Sequence, residues 1–440
     1  MKSDRRLPIA IVGGGFSGTV VAAQLARKGI DSVLIDGSGR AGHGVAYSTR
    51  EPAHVLNVRA EVMSAWADDL EHFARVAESE GGNRRDFVQR QQFGRYLREV
   101  LREAIESGHL RLIERQAVEA KPAGKGWTVS LDDGETFEAS GLVLAIGNQP
   151  PEPLPFASES SHVINNPWGL EALAAVEDLA VSHEDVLLVG TGLTMVDAVL
   201  SLDAAGHRGR ITGLSRRGLI PRGHTDFTPA PVEAHEVPHG HVRTLWRWLR
   251  KRGAQVGWRA AIDALRPHSQ RLWQRLPFEE QRRFSRHARP WWDVHRHRIA
   301  PEVAKRLHDL VSEGRLEIVA GRIQSVTEES HGLSVAYRRR GRPNLERHSF
   351  AYMINCTGPL GTISRTRDPM LKGMLDEGLA RPDQLGIALD ADERTRVMGS
   401  QNAWAMGPLT KGRYWEIIAV PDIRGQAASV ADDIAMELDR

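Results

Sequence analysis

Two glycine-rich turns in this chain have the residue types and spacing of dinucleotide-phosphate cradles. The first, Gly13-Gly14-Gly15-Phe16-Ser17-Gly18, follows the buried-strand pattern Leu7-Pro8-Ile9-Ala10-Ile11-Val12 and runs into the helical stretch Thr19 to Ala26. Strand, G-x-G-x-x-G, helix is the order that the motif needs. Gly13 permits the tight turn, Gly15 lets the backbone approach a pyrophosphate, and Gly18 lets the helix lie close to the strand. Unpaired N–H groups at the helix start, around Phe16 and Ser17, then face the phosphates with the positive end of the helix dipole. Eighteen residues past Gly18, the strand pattern Ser32–Ile35 ends in Asp36, placed to accept hydrogen bonds from an adenosine ribose.

The second turn is Gly190-Thr191-Gly192-Leu193-Thr194-Met195, between the strand Asp185–Val189 and the helical Val196–Leu202. Met195 replaces the third glycine, so this helix is expected to sit slightly off its strand. Its next strand, Arg210–Leu214, delivers Ser215-Arg216-Arg217 and no carboxylate. An acid there would bind the free ribose hydroxyls of NAD, whereas arginine grips a 2′-phosphate with two parallel hydrogen bonds. NADPH is therefore expected, on Gly190, Gly192, Leu193, Thr194, Arg216 and Arg217.

Two further strands, Gly141–Ile146 and Ala351–Cys356, end in small residues and glycine, at Gly147 and Gly358, with proline close behind at Pro150 and Pro359. Such endings mark where a chain leaves one nucleotide domain for another. Gly126–Leu131 and Thr136–Ala139, joined by Asp132-Asp133-Gly134-Glu135, read as a β-hairpin. The expected fold class is α/β, with two Rossmann-like dinucleotide-binding domains, the second inserted in the first, and an added helical subdomain. The boundaries expected are 1–160 with 345–440 for the first domain and 161–344 for the second, with a helical insertion at about 235–310.

Residues 241–309 are Trp-rich and basic, with 17 Lys and Arg against 6 Asp and Glu. No nucleic-acid motif accompanies that charge, so a helical subdomain with core tryptophans is expected, with an electropositive cleft for an anionic substrate as a further option. His287, His295 and His297 lack the cysteine or carboxylate cluster that would complete a metal site.

The chain has 440 residues, 41% hydrophobic and 26% charged, and a formal net charge of +2. That composition excludes disorder and a disulfide-stapled scaffold. Its single cysteine, Cys356, excludes an intramolecular disulfide and Cys-x-x-Cys redox chemistry, and a cytoplasmic setting is expected. Apolar runs are too short for a membrane helix, and the segment after Met1–Arg6 reads as a first strand, not a signal peptide. Ser-His-Asp order, paired glycosidase carboxylates and a P-loop lysine find no supporting context.

With these motifs, the chain resembles the two-dinucleotide-binding-domain flavoproteins, on their monooxygenase side, over almost its whole length. It looks closest to a bacterial family of FAD/NAD(P)-binding proteins related to amine- and amino-acid-N-hydroxylating flavoenzymes. The likeness is carried by Gly42-His43-Gly44-Val45-Ala46-Tyr47-Ser48, His54-Val55-Leu56-Asn57-Val58, Phe93-Gly94-Arg95-Tyr96-Leu97, Gly190 to Asp197, and Trp291 to His297. It implies FAD on Gly13, Gly15, Gly18 and Asp36. It further implies that Asn57 and the closing stretch, including Gly407, Ile423, Arg424 and Gln426, approach the isoalloxazine, with a helix N-terminus near Arg424 aimed at the flavin N1/O2 edge. The implied activity is an NADPH-dependent FAD monooxygenase that uses molecular oxygen through a C4a-hydroperoxyflavin and N-hydroxylates a small amine or amino acid.

Two alternatives stand beside it: a flavin oxidoreductase or oxidase without oxygen insertion, and a non-catalytic FAD-binding interaction protein. The F-x-G-x-x-x-H-x-x-x-W fingerprint of Baeyer–Villiger and amine-oxidising flavoenzymes is only half present. Phe156 and His162 match, Ser158 replaces the glycine, and the tryptophan falls late, at Trp168. No catalytic acid or base is assigned; His43, His54 and His162 lie near the expected cofactor loops.

Overall fold

The computed structural model describes residues 6–157 and 159–439, so Met1–Arg5, Ser158 and Arg440 lie outside the described residues. Two parallel sheets organise the chain. In the first, the strands run in the order Ala403–Ala405, Gly141–Leu144, Ile9–Val12, Ser32–Ile35, Leu110–Ile113. Ile9–Val12 is buried along its whole length because both sheet faces are covered, as parallel sheets require. Ile9 and Ile11 face the helices Phe16–Arg27, Arg90–Glu106 and Val420–Leu438, while Ala10 and Val12 face a second layer containing Trp127, Val129 and Met370. That layer includes the expected hairpin, joined by Ala117–Ala123 into a three-stranded antiparallel sheet.

The second sheet repeats the plan. Val163–Ile164, Tyr352–Asn355, Val186–Val189, Ile211–Ser215 and Leu316–Glu329 are all parallel, and Gly332–Arg339 and Leu345–Phe350 extend the sheet antiparallel. Each dinucleotide strand is thus flanked by an exit strand, Gly141–Leu144 in one sheet and Tyr352–Asn355 in the other. After each exit strand the chain crosses to the edge of the other sheet.

This overturns the expected boundary at residue 345. Leu345–Phe350 pairs with Gly332–Arg339, and Tyr352–Asn355 pairs with Val186–Val189, so both belong to the second sheet and the return crossing begins at Cys356. The physical reason is the need to cover the free edge of Val186–Val189, for which the apolar Tyr-Met-Ile-Asn segment is suited. The two crossings are stitched together where they pass. Leu360 N–H donates to the Gln149 carbonyl at 3.1 Å, and Asn355 Nδ2 donates to the Glu152 carbonyl at 2.8 Å.

Between Ile211–Ser215 and Leu316–Glu329 lies the Trp-rich helical subdomain, whose tryptophans are core only in part: Trp246, Trp248 and Trp258 are half-buried and Trp291 is exposed. Trp273 and Trp292 are buried, and Trp273 stacks on Trp415 of the closing segment with centroids 4.5 Å apart. Among the described residues no helix is long and apolar enough to cross a membrane.

A buried ion pair between the two sheet units, Arg90–Asp197, locks them together, alongside the buried Arg296–Glu416 pair between the helical subdomain and the closing segment. Arg90, at the start of the helix Arg90–Glu106, donates from Nη1 and Nη2 to the two oxygens of Asp197 at 2.8 and 2.9 Å. Their side chains are only 12% and 7% exposed. Asp197 belongs to the helix of the second glycine turn, and its carbonyl also accepts from His54 Nε2 at 3.0 Å. Breaking a buried pair from one side strands the other charge, so Arg90→Ala is expected to cost about 3–5 kcal/mol in urea unfolding. Arg90→Ala with Asp197→Ala should recover part of that loss; an Arg90→Ala loss below about 1 kcal/mol would contradict the lock.

Candidate functional site

The two glycine turns are built alike. Gly13 and Gly190 both have positive φ, +105° and +113°, and both lie against the end of an exit strand. A Cβ on Gly13 would come within 2.6 Å of the Ala145 carbonyl oxygen, and one on Gly190 within 2.2 Å of that of Cys356. Only glycine fits either place.

Gly18 shows the close helix–strand approach directly, since its Cβ would lie 1.8 Å from the Gly13 carbonyl oxygen. The second turn has the buried Met195 there, and a compensating glycine on the neighbouring strand receives it. A Cβ on Gly213 would stand 3.7 Å from Met195 Cγ, whereas the register equivalent in the first sheet is Leu34, 3.3 Å from the Gly18 position. Large and small have changed places, an exchange visible only once strand register is known.

What the turns leave open fits a dinucleotide. Gly15 and Gly192 cap their helices in extended conformation with no side-chain cap, leaving the first-turn amides of Phe16, Ser17 and Gly18, and of Leu193 and Thr194, to face a ligand. A Cβ on Gly15 meets nothing nearer than Gly44 Cα at 3.6 Å, and one on Gly192 meets nothing within 4 Å. Asp36 is held at the first turn by Gly14 N–H, 2.6 Å from its Oδ2, and by the amide and hydroxyl of Ser38 on its Oδ1. Its Oδ2 keeps a lone pair for a ribose hydroxyl. At the corresponding place in the second unit, Ser215 Oγ bonds Thr191 Oγ1 at 2.8 Å, and Arg216 and Arg217 make no hydrogen bond or ion pair among the described residues.

The closing segment completes the first site. Gly407, with φ +58°, lies so near the start of the helix Phe16–Arg27 that a Cβ there would be 2.7 Å from Ser17 Oγ and 3.7 Å from Ile423 Cδ1. Gln426 Oε1 accepts from Gly407 N–H at 2.7 Å, and Gln426 Nε2 donates to Thr410 Oγ1 at 2.9 Å. Gly13, Gly15, Phe16, Ser17, Gly18, Asp36, Gly407, Ile423 and Gln426 therefore form one cluster around the first turn. Gly147 follows closely, with positive φ and open space at its Cβ position, two residues past Ala145.

Two expected residues make hydrogen bonds of their own, Arg424 with its side chain and Asn57 with its backbone carbonyl. The Arg424 guanidinium donates to the Val62 and Ser64 carbonyls at 3.2 and 3.1 Å. The Asn57 carbonyl accepts from His224 Nε2 of the second unit at 3.0 Å. Burial, with the Arg298 charge behind it, pushes His224 down to about 4.

The three histidines near the cofactor loops are held by the protein. His54 bonds Thr49 and Asp197, His162 bonds the Ala351 carbonyl, and His43 packs under Gly94. A cavity of about 620 Å³ lined by Arg59, Phe87, Gln89, Pro301 and Glu302 contains none of the expected cofactor residues.

Residues 10–149 match a family model described as FAD-NAD(P)-binding. That span takes in most of the first sheet. Its turn, exit strand and Asp36 all fall inside the matched span. A curated relative, the Baeyer–Villiger monooxygenase ATR8 of Stachybotrys chlorohalonatus (strain IBT 40285), is 27% identical over 210 residues. That alignment covers 45% of this chain and only about a third, 32%, of the relative.

Among solved structures, L-lysine 6-monooxygenase from Pseudomonas syringae superposes with a TM-score of 0.69 at 16% identity, covering 98% of this chain and 99% of that one. The cadaverine monooxygenase DfoA of Erwinia amylovora, bound to FAD, gives 0.69 at 12% identity, covering 98% and 95%. At such identities the shared property is the fold, and it runs nearly end to end.

Two outcomes follow from this geometry. Gly15→Ala and Gly192→Ala should both fold normally, because their Cβ atoms meet little protein, yet each methyl enters phosphate space and should weaken its own nucleotide by roughly 1–3 kcal/mol. Calorimetric titration of FAD and NADPH into each variant checks this, and loss of both nucleotides in either variant would contradict two separate cradles. For His224, the unfolded ring takes up a proton below pH 6.5 and the folded ring only below about 4, so this group makes stability fall as pH drops across that window. His224→Gln should flatten the acid limb of Tm against pH between 6.5 and 4; an unaltered slope would exclude His224 as its source.

Proposed function

We propose that the chain is an NADPH-dependent FAD monooxygenase that N-hydroxylates a small amine or amino acid. The observation that carries the reading is the pairing of two like-built cradles with unlike strand ends. One ends in a carboxylate suited to a ribose, the other in Ser215-Arg216-Arg217 with both guanidiniums uncommitted. That combination calls for FAD in the first unit and a 2′-phosphorylated nucleotide in the second. The end-to-end fold likeness to the lysine and cadaverine monooxygenases agrees with it.

FAD, when bound, would supply a two-electron acceptor for the nicotinamide hydride and a means of activating dioxygen. The chain's own residues do the rest. Gly13, Gly15 and Gly18 seat the FAD pyrophosphate, Asp36 fixes its ribose, and the Gly407–Gln426 bond holds the closing segment against Ser17. Arg90, His54 and Asp197 hold the second helix in one position relative to the first unit, which nicotinamide and flavin need in order to meet at reacting distance. The Trp-rich subdomain excludes water from the closing segment, with Trp273 Nε1 donating to the Gly412 carbonyl at 2.8 Å and its ring on Trp415.

The test is oxygen bookkeeping on the FAD-loaded protein with NADPH, ¹⁸O₂ and a panel of diamines and basic amino acids. One labelled oxygen in an N-hydroxylated product is expected. NADPH oxidation that always yields only hydrogen peroxide would replace this reading with an oxidase. Arg216→Ala with Arg217→Ala should weaken NADPH binding by about 1.5–3 kcal/mol for each hydrogen-bonded charge lost, while leaving NADH nearly unchanged. Equal losses for both nucleotides in fluorescence titration would remove the 2′-phosphate assignment.

A further inference from the structure

The seam between the helical subdomain and the closing helix carries more positive charge than its own carboxylates balance. The helix Trp258–Leu265 and the turn after it present Arg259, Asp263 and Arg266 at i, i+4 and i+7, hence on one face. Arg296 and Arg298 approach from the end of the helix Arg289–Arg296, and Glu416, Asp422 and Arg424 from the closing segment.

Glu416 is fully used. It accepts from Trp292 Nε1 at 2.5 Å and from Arg296 Nε at 3.2 Å. Asp263 is taken by Arg298. Five guanidiniums therefore share three carboxylates.

The surplus shows in the hydrogen bonds. Arg298 is 4% exposed, yet its Nε and Nη1 have no partner, and neither has Arg259 Nε. Arg266 and Asp422 are each half-buried and close enough to feel each other's charge, but neither side chain makes a hydrogen bond or an ion pair within 4 Å among the described residues. A buried excess of cations with spare donors is costly unless an anion joins it. The place is also right, because Asp422 precedes Ile423, which lies beside Gly407 and Ser17 at the first turn.

We infer that Arg266 binds the carboxylate of an anionic or zwitterionic small-molecule substrate, with Arg259, Arg296 and Arg298 supplying the supporting field. The inference rests on the flavoenzyme reading only for calling that ligand a substrate; the anion site stands on the charge balance alone.

The test titrates the FAD-loaded protein with probe pairs that differ by one carboxylate, L-lysine against cadaverine and L-glutamate against 4-aminobutyrate, reading the flavin difference spectrum and Tm. The carboxylated member of a pair should bind roughly ten- to hundredfold more tightly, Arg266→Gln should abolish that preference, and Arg266→Lys should retain part of it. Equal binding within each pair, an unchanged preference in Arg266→Gln, or no saturable binding of any carboxylated probe up to about 10 mM would overturn the assignment. The pair comparison in the unmodified protein decides the matter even if Arg266→Gln folds poorly. Anaerobic reduction of the unmodified protein by NADPH, without any probe, reports separately on the redox reading.

Discussion

The buried Arg90–Asp197 pair is the constraint on which the rest of this structure depends. Two dinucleotides held on separate sheets can exchange a hydride only if their reactive rings meet within about 3–3.5 Å, and neither sheet by itself fixes the other's position. The pair fixes it at the helix of the second glycine turn, one turn from its phosphate-facing end. Because both oxygens of Asp197 are engaged by one planar guanidinium, the contact sets orientation as well as distance. His54 on the Asp197 carbonyl and His224 on the Asn57 carbonyl tie the same two units at neighbouring points.

A second regularity is the exchange of strands around this lock. Each glycine turn leans on an exit strand, and each exit leads to an edge of the opposite sheet, so the two units cannot be assembled independently. Cys356, buried and with its thiol pushed well up by that burial, is accounted for in this scheme by position. Its carbonyl backs Gly190 as that of Ala145 backs Gly13. Redox chemistry has no claim on it.

Much of this was legible in the sequence. The first turn, Asp36, the second turn and its arginines are local patterns of strand, glycine spacing and helix, and as strands, turns and helices they stand where they were read. The hairpin and the exit strands were equally local. What could not be read is whatever depends on partners distant in the chain. Strand register was needed to see that Gly213 makes room for Met195, and the apolar segment Tyr352–Asn355 was assigned to the wrong sheet because its text fits either. Arg90 and Asp197 are 107 residues apart, and nothing in either local sequence announces the other. The closing helix begins at Val420, four residues before the expected start near Arg424, and the long Arg424 side chain reaches back to the Val62 and Ser64 carbonyls, a choice that spacing alone does not express.

The Trp-rich basic segment illustrates the same division. Core tryptophans were expected from composition and hold for Trp273 and Trp292 but not for the exposed Trp291, whereas the unbalanced seam of Arg259, Arg266, Arg296 and Arg298 exists only because two helices and the closing segment converge. The proposed function requires the second cradle to deliver NADPH to a flavin held by the first. Rapid-mixing reduction of the FAD-loaded protein without oxygen, by NADPH and separately by NADH, tests it most directly. Bleaching of the flavin absorbance that is markedly faster with NADPH is the predicted result; no reduction by either nucleotide, with FAD retained throughout, would contradict the claim.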